Sequence, residues 1–232
     1  MKSGAQAEAL VKQLLSKYAS ANWADAKRVA REAVATLKSC LLATPGGWSE
    51  SDLNSAFIAA VFFRSLYDVA VLDTLVQEPN WSQDEKKIES IWNRFCDCRD
   101  RFEFTERHFQ GTTVERTLKF LARIEGLFFE NFGPGTYISP NLIFDKLICS
   151  ICENDTRACQ HIQGRVYGGK LCARIYQNAS LPANLASGSL VTTPRDPCCR
   201  VWPWMIKDGK SESVPFLIFF RVDDFMENDN WS

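Results

Sequence analysis

Cys149, Cys152, Cys159 and His161 bring three thiols and an imidazole into one short stretch, and Cys172 adds a fourth thiol a little further on. Cys149 and Cys152 have C-x2-C spacing, at which a single tight turn aims two thiolates at one cation. Cys159 and His161 stand two apart, so on an extended segment they share a face. The pattern C-x2-C-x6-C-x-H therefore closes a four-ligand sphere, and Cys159 with Cys172 would close it as well. Thiolate and imidazole favour Zn²⁺ over Ca²⁺ and Mg²⁺, which prefer oxygen. Four protein ligands leave no position for water, so the expected cofactor is one structural zinc ion. Four cysteines would also suffice for an iron–sulfur cluster, and free cysteines also serve as small apolar core residues. The spacing favours zinc over both.

Other reactive groups are sparse. With His161 assigned to metal, His108 is the only remaining histidine, and Cys98 lies too far along the same expected helix to pair with it. Cys96 and Cys98 are two apart on that helix and do not face each other, and Cys198-Cys199 reads as a pair of reduced thiols. Asp223, Asp224, Glu227 and Asp229 are the carboxylates from which a metal-dependent hydrolase would be built, although a solvated acidic tail explains them more simply. The chain contains no P-loop, no G-x-G-x-x-G, no G-x-S-x-G and no H-E-x-x-H. A non-enzymatic role is therefore the expectation, with the hydrolase as an alternative.

The elements that must position the cysteines fall into two halves. Up to about Phe132, apolar residues recur at three- and four-residue spacing, which predicts five helices near 5–19, 23–43, 50–77, 83–108 and 113–131. Asn22, Ser49, Ser82 and Thr112 precede these runs as expected caps. Ser82 with Glu85, and Thr112 with Glu115, have capping-box spacing. "NFGPGTYISP" then breaks the helical pattern. Beyond it come short β-branched and aromatic runs, with Gly168-Gly169 and Asp208-Gly209 as hairpin turns between "RVY" and "KLCARIY", and between "CRVWPWMI" and "SVPFLIFFRV". "SGSLVTT" reads as a further strand. The expectation is an α+β protein, with a helical bundle over 1–132 and a zinc-binding antiparallel β module over 136–232.

The run "YISPNLIFDKLICSICENDTRACQHIQGRVYGGKLCARI" resembles a cysteine-rich module of uncharacterised bacterial and phage-related proteins, through C-x-I-C, C-x-H-I-x-G and Y-x-G-K-x-C. "SGSLVTTPRDPCCRV" is similar to the end segment of phage prohead-protease-like proteins. The resemblance spans about residues 136–201 and implies metal binding by Cys149, Cys152, Cys159, His161 and Cys172. It implies no protease, because that family's catalytic His and Ser motif have no counterpart in this chain.

Lys and Arg total 27 against 28 Asp and Glu, so there is no basic excess of the kind that drives non-specific phosphate binding. The start of the chain lacks the apolar run of a secretory signal, and "AFIAAVFFRSLYDVAVLDTLV" carries Arg64, Asp68 and Asp73. No membrane association is expected, and nine cysteines with a metal-type cluster suggest the reducing cytoplasm. The expected partner is another protein, met by Trp202 and Trp204, which flank Pro203 and would share one face of a strand. Nucleic acid is the alternative partner, through Arg157, Arg165, Lys170 and Arg174 near Tyr167 and Tyr176.

Overall fold

A computed structural model describes residues 5–43, 47–142, 145–177, 185–194, 197–207 and 210–211. The protein is α+β. Among the described residues, five α-helices come first: α1 (Ala5–Ser20), α2 (Trp23–Ala43), α3 (Glu50–Gln77), α4 (Glu85–Glu106) and α5 (Thr112–Phe132). Nine short strands follow: β1 (Thr136–Leu142), β2 (Lys146–Cys149), β3 (Val166–Tyr167), β4 (Lys170–Leu171), β5 (Arg174–Gln177), β6 (Leu185–Val191), β7 (Arg200–Val201), β8 (Ile206–Lys207) and β9 (Lys210–Ser211).

The chain forms two compact units. The first comprises Met1–Ile124 with Arg165–Leu171, and the second Glu125–Gly164 with Cys172–Ser232. The sequence break at Gly133 is thus not where the units divide. The β3–β4 hairpin, expected in the β module, folds with the helices.

In the first unit α3 is the central element, packed against α1, α2 and α4. It is apolar on every side: Ala56, Phe57, Ala59, Phe62, Phe63, Leu66 and Leu72 are all buried. A helix of this composition must be covered all round. Although α3 is long and apolar enough to cross a membrane, 83% of its most apolar window is buried inside the fold. The alanines let neighbouring backbones approach, and Ala30, Ala33, Val34 and Leu37 of α2 present the matching stripe.

Helix starts follow local hydrogen bonding. The Asn22 carboxamide accepts from the Asp25 amide at 2.9 Å. Ser49 caps α3 in a reciprocal box with Asp52. The Asp52 carboxylate also accepts from the Ala7 amide at 3.0 Å, so one side chain serves the first turns of two helices. Ser82 is not the cap of α4. It lies in a single 3-10 turn, Trp81–Gln83, and Asp84 takes the role by accepting from the Lys87 amide at 3.0 Å. α5 starts at Thr112 itself, with the Gly111 carbonyl receiving the Val114 and Glu115 amides.

The β3–β4 hairpin turns on Gly168 and Gly169 at φ +56° and +77°, the left-handed pair that a two-residue turn requires. The Gly169 amide donates to the Asn54 carboxamide of α3 at 2.9 Å.

The second unit contains a three-stranded antiparallel sheet in the order β6-β1-β7 and a separate β2–β5 pair. The expected strand "CRVWPWMI" is interrupted. Only Arg200 and Val201 pair with β1, and Pro203 begins a 3-10 turn, because proline has no amide to continue a ladder. Arg200 is buried and donates to the Phe132 and Gly133 carbonyls at 3.3 and 2.9 Å, closing the C-terminal end of α5. β8 and β9 pair with each other, while Asp208-Gly209 and "SVPFLIFFRV" lie outside the described residues.

Candidate metal centre

The β2–β5 ladder places the cysteines. Cys149 ends β2 opposite Arg174. One step further, the Ser150 amide donates to the Ala173 carbonyl at 3.0 Å, while the Ser150 hydroxyl accepts from the Ala173 amide at 2.8 Å. This register brings Cys172 beside Cys149, with their sulfurs 3.8 Å apart. After Cys149 the chain doubles back. Glu153, at φ +58°, donates its amide to the Cys149 carbonyl at 2.8 Å, and the Thr156 amide reaches the Leu147 carbonyl at 2.8 Å. That return turns Cys152 inward and delivers Cys159, whose sulfur is 3.5 Å from that of Cys152. His161 Nδ1 lies 3.3 Å from Cys159 Sγ.

The donor atoms of Cys149, Cys152, Cys159 and His161 all lie within 4.8 Å of one another. A disulfide would hold its sulfurs at about 2 Å. A tetrahedral ion with metal–sulfur bonds of about 2.3 Å sets its ligands about 3.8 Å apart. The observed separations are of the second kind, and all nine cysteines are free thiols. The tetrad can therefore hold a metal ion.

The electrostatics point the same way. Burial pushes the Cys149 thiol up, but hydrogen bonds from the Cys152 and Ile151 amides and from the Cys159 and Cys152 thiols outweigh it and bring it down to about 6. Cys159 is driven up to about 11, first by burial and then by the neighbouring thiols. Cys172 is also driven up to about 11, by burial and by Cys149. Without a cation the first thiolate opposes the next. A dication removes that opposition and favours full deprotonation. Amides of the turns already point at sulfur: Ile151 N–H at Cys149 (3.4 Å) and His161 N–H at Cys159 (3.2 Å). Such bonds fix thiolate orientation around an ion.

The other expected site residues are dispersed. Trp202 is only 3% exposed and packs against Phe128 and Phe132, so it belongs to the core of the second unit. Trp204 is half-buried and stacks on Trp202 with ring centres 5.1 Å apart. The indoles are side by side as expected, through a 3-10 turn in place of a strand. Arg200 lies 4.7 Å from the Trp202 ring centre. Of the four cations, Arg165 and Lys170 belong to the first unit, and Arg157 and Arg174 to the second. Arg157 is held by Asp155 through two side-chain bonds of 3.0 and 2.7 Å, which keep that carboxyl well below the usual range. The Tyr176 side chain and the carboxylates Asp223, Asp224, Glu227 and Asp229 lie outside the described residues. His108 follows the end of α4, and burial with the adjacent Arg107 lowers its pKa.

A buried ion cluster was not foreseen. Asp68 of α3 is 1% exposed and accepts from Arg64, Arg94 and Arg101 at 3.3, 3.1 and 2.9 Å. Spacing identifies the Arg64–Asp68 pair within one helix. The signal for the other two was their separation by two helical turns, which puts Arg94 and Arg101 on one side of α4.

No protein-family model, curated protein or solved structure matches this chain.

Proposed function

We propose that the chain is a zinc protein that works by binding another macromolecule, with the ion as a structural centre. The tetrad carries this reading: three sulfurs and one nitrogen, mutually within 4.8 Å, match the donor number and softness of a closed zinc site. A tetrahedral ion so bound has no position left for a reacting water. The free state of every cysteine supports a reducing compartment, the cytoplasm. Elemental analysis of protein purified without chelator should find one zinc per chain. Protein carrying no metal, or iron in its place, overturns the zinc assignment.

The partner in this reading is a protein, met through Trp204, which Trp202 supports from below. Trp and Tyr are enriched at interfaces because a rigid ring buries a large area at small entropic cost. A partner cross-linked to the wild type should be lost in Trp204→Ala at unchanged zinc content. Equal capture by that variant removes Trp204 from the interface.

A further inference from the structure

Four donors form the tetrad, and a fifth, the Cys172 thiol, stands beside it. Cys172 is not a stray thiol at the margin. It is 3% exposed, and its sulfur is 3.8 Å from Cys149, one tetrahedral edge away. Backbone bonds hold it there: the Gly164 amide donates to the Cys172 carbonyl at 2.9 Å, and the adjacent Ala173 is bonded in both directions to Ser150. His161 approaches from the Cys159 side, at 3.3 Å, and is half-exposed. Cys149, Cys152 and Cys159 are common to either completion of the sphere. The fourth place is contested by a buried thiol, held on the short link between β4 and β5, and by an imidazole on a loop.

We propose that Cys172 and His161 are interchangeable fourth ligands, so that the centre exists in a four-thiolate form and a three-thiolate, one-imidazole form. This inference rests on the zinc reading above. Exchange requires no new element: the incoming sulfur replaces the departing nitrogen while the other three bonds persist, and the thiol proton leaves to the departing imidazole or to water. The two forms differ in charge. Zn²⁺ with four thiolates carries two negative charges, and with three thiolates and a neutral imidazole it carries one. Occupancy of the two forms thereby sets the local field around Arg174, which lies directly opposite Cys149 in the ladder.

The test is Co²⁺ and Zn²⁺ binding to the full chain and to His161→Gln, Cys172→Ala and the double variant. His161 is half-exposed, and alanine replaces a buried thiol with a smaller apolar group, so both single variants should keep the wild-type far-ultraviolet circular dichroism. Each single variant should bind one metal per chain with a loss of about 10–100-fold in affinity, the range seen when a supporting contact of a metal ligand is removed. Cobalt in His161→Gln should show the stronger sulfur-to-metal absorption of four thiolates, and cobalt in Cys172→Ala the weaker absorption of three. The double variant should bind no metal at micromolar concentration. Loss of stoichiometric binding in either single variant overturns the exchange, as does an unchanged spectrum in His161→Gln or a Cys149–Cys172 disulfide in the metal-loaded wild type. A wild type that takes up neither ion brings down the zinc reading and this inference together.

Discussion

Phe62 and Cys149 are almost equally hidden from solvent, at 0% and 1% exposure, for different reasons. Phe62 is covered by side chains of its own kind, ringed by Phe63, Phe102 and Phe109. Apolar burial of that sort is additive and tolerant: each ring contributes its own area, and the loss of one leaves the others in place. Cys149 is covered by polar turns and other thiols, which bury little apolar area and place like charges together. Such a cluster is unfavourable by itself and becomes favourable as a set when a cation joins it. The first unit should therefore weaken by degrees under substitution, and the centre of the second should fail as soon as Cys149, Cys152 or Cys159 is lost.

The largest effect should come from Cys152→Ser. It removes one ligand of the tetrad and should abolish zinc binding, whose free energy in small structural sites is on the order of 10 kcal/mol. Limited proteolysis should then cut within residues 145–177, while circular dichroism retains the helical signal of the first unit. Uniform protease resistance would mean that metal does not organise that segment.

Asp68→Ala comes next and probes the opposite unit. It leaves Arg64, Arg94 and Arg101 around an emptied buried position, and should cost about 3–5 kcal/mol in denaturant unfolding. Its zinc content should equal that of the wild type. Gly169→Ala should cost about 1–2 kcal/mol, because a Cβ at φ +77° is strained and would meet Leu41 at 3.0 Å. Thermal denaturation of the helical signal reads that loss.

The smallest effect concerns acid. The Ser49 hydroxyl, with the Ala7 and Ser49 amides, lowers the Asp52 carboxyl from its ordinary value. A carboxylate depressed in the folded state stabilises that state above the unfolded pKa, and the gain is lost as pH falls through the folded pKa. The stability difference between wild type and Asp52→Ala should accordingly be constant near neutrality and shrink below about pH 4. A difference that grows on acidification would rule out Asp52 as the shared cap of α1 and α3.

Helix positions were legible because their causes are local. The spacing of apolar residues marks α1 to α5 to within a few residues, and Asn22 and Ser49 act through amides three positions away. Ser82 misled for an equally local reason: two eligible caps stand two residues apart, and the 3-10 turn at Trp81–Gln83 absorbs the first. The convergence of Cys149, Cys152, Cys159 and His161 into a cluster that could hold a metal ion was legible because ligand chemistry restricts both residue type and spacing. Alternation alone places Trp202 and Trp204 on one face of a strand, but Pro203 between them ends the ladder and starts a 3-10 turn. Least legible was the allegiance of Gly168-Gly169. The turn itself follows from two glycines, but its partner Asn54 lies 115 residues away, and nothing near either residue announces the other.

That allegiance has a consequence for how the protein is made. The helical unit is interrupted in sequence, since its last piece, residues 165–171, is synthesised after Cys149, Cys152, Cys159 and His161 have all left the ribosome's active centre. A nascent chain that has reached Phe132 holds five helices but has nothing yet to offer Asn54. Closing so long a loop is a late and slow event compared with helix pairing. The unit that begins to fold first is thus completed only after that cysteine–histidine cluster has been translated, and no single cut in the polypeptide yields both units whole.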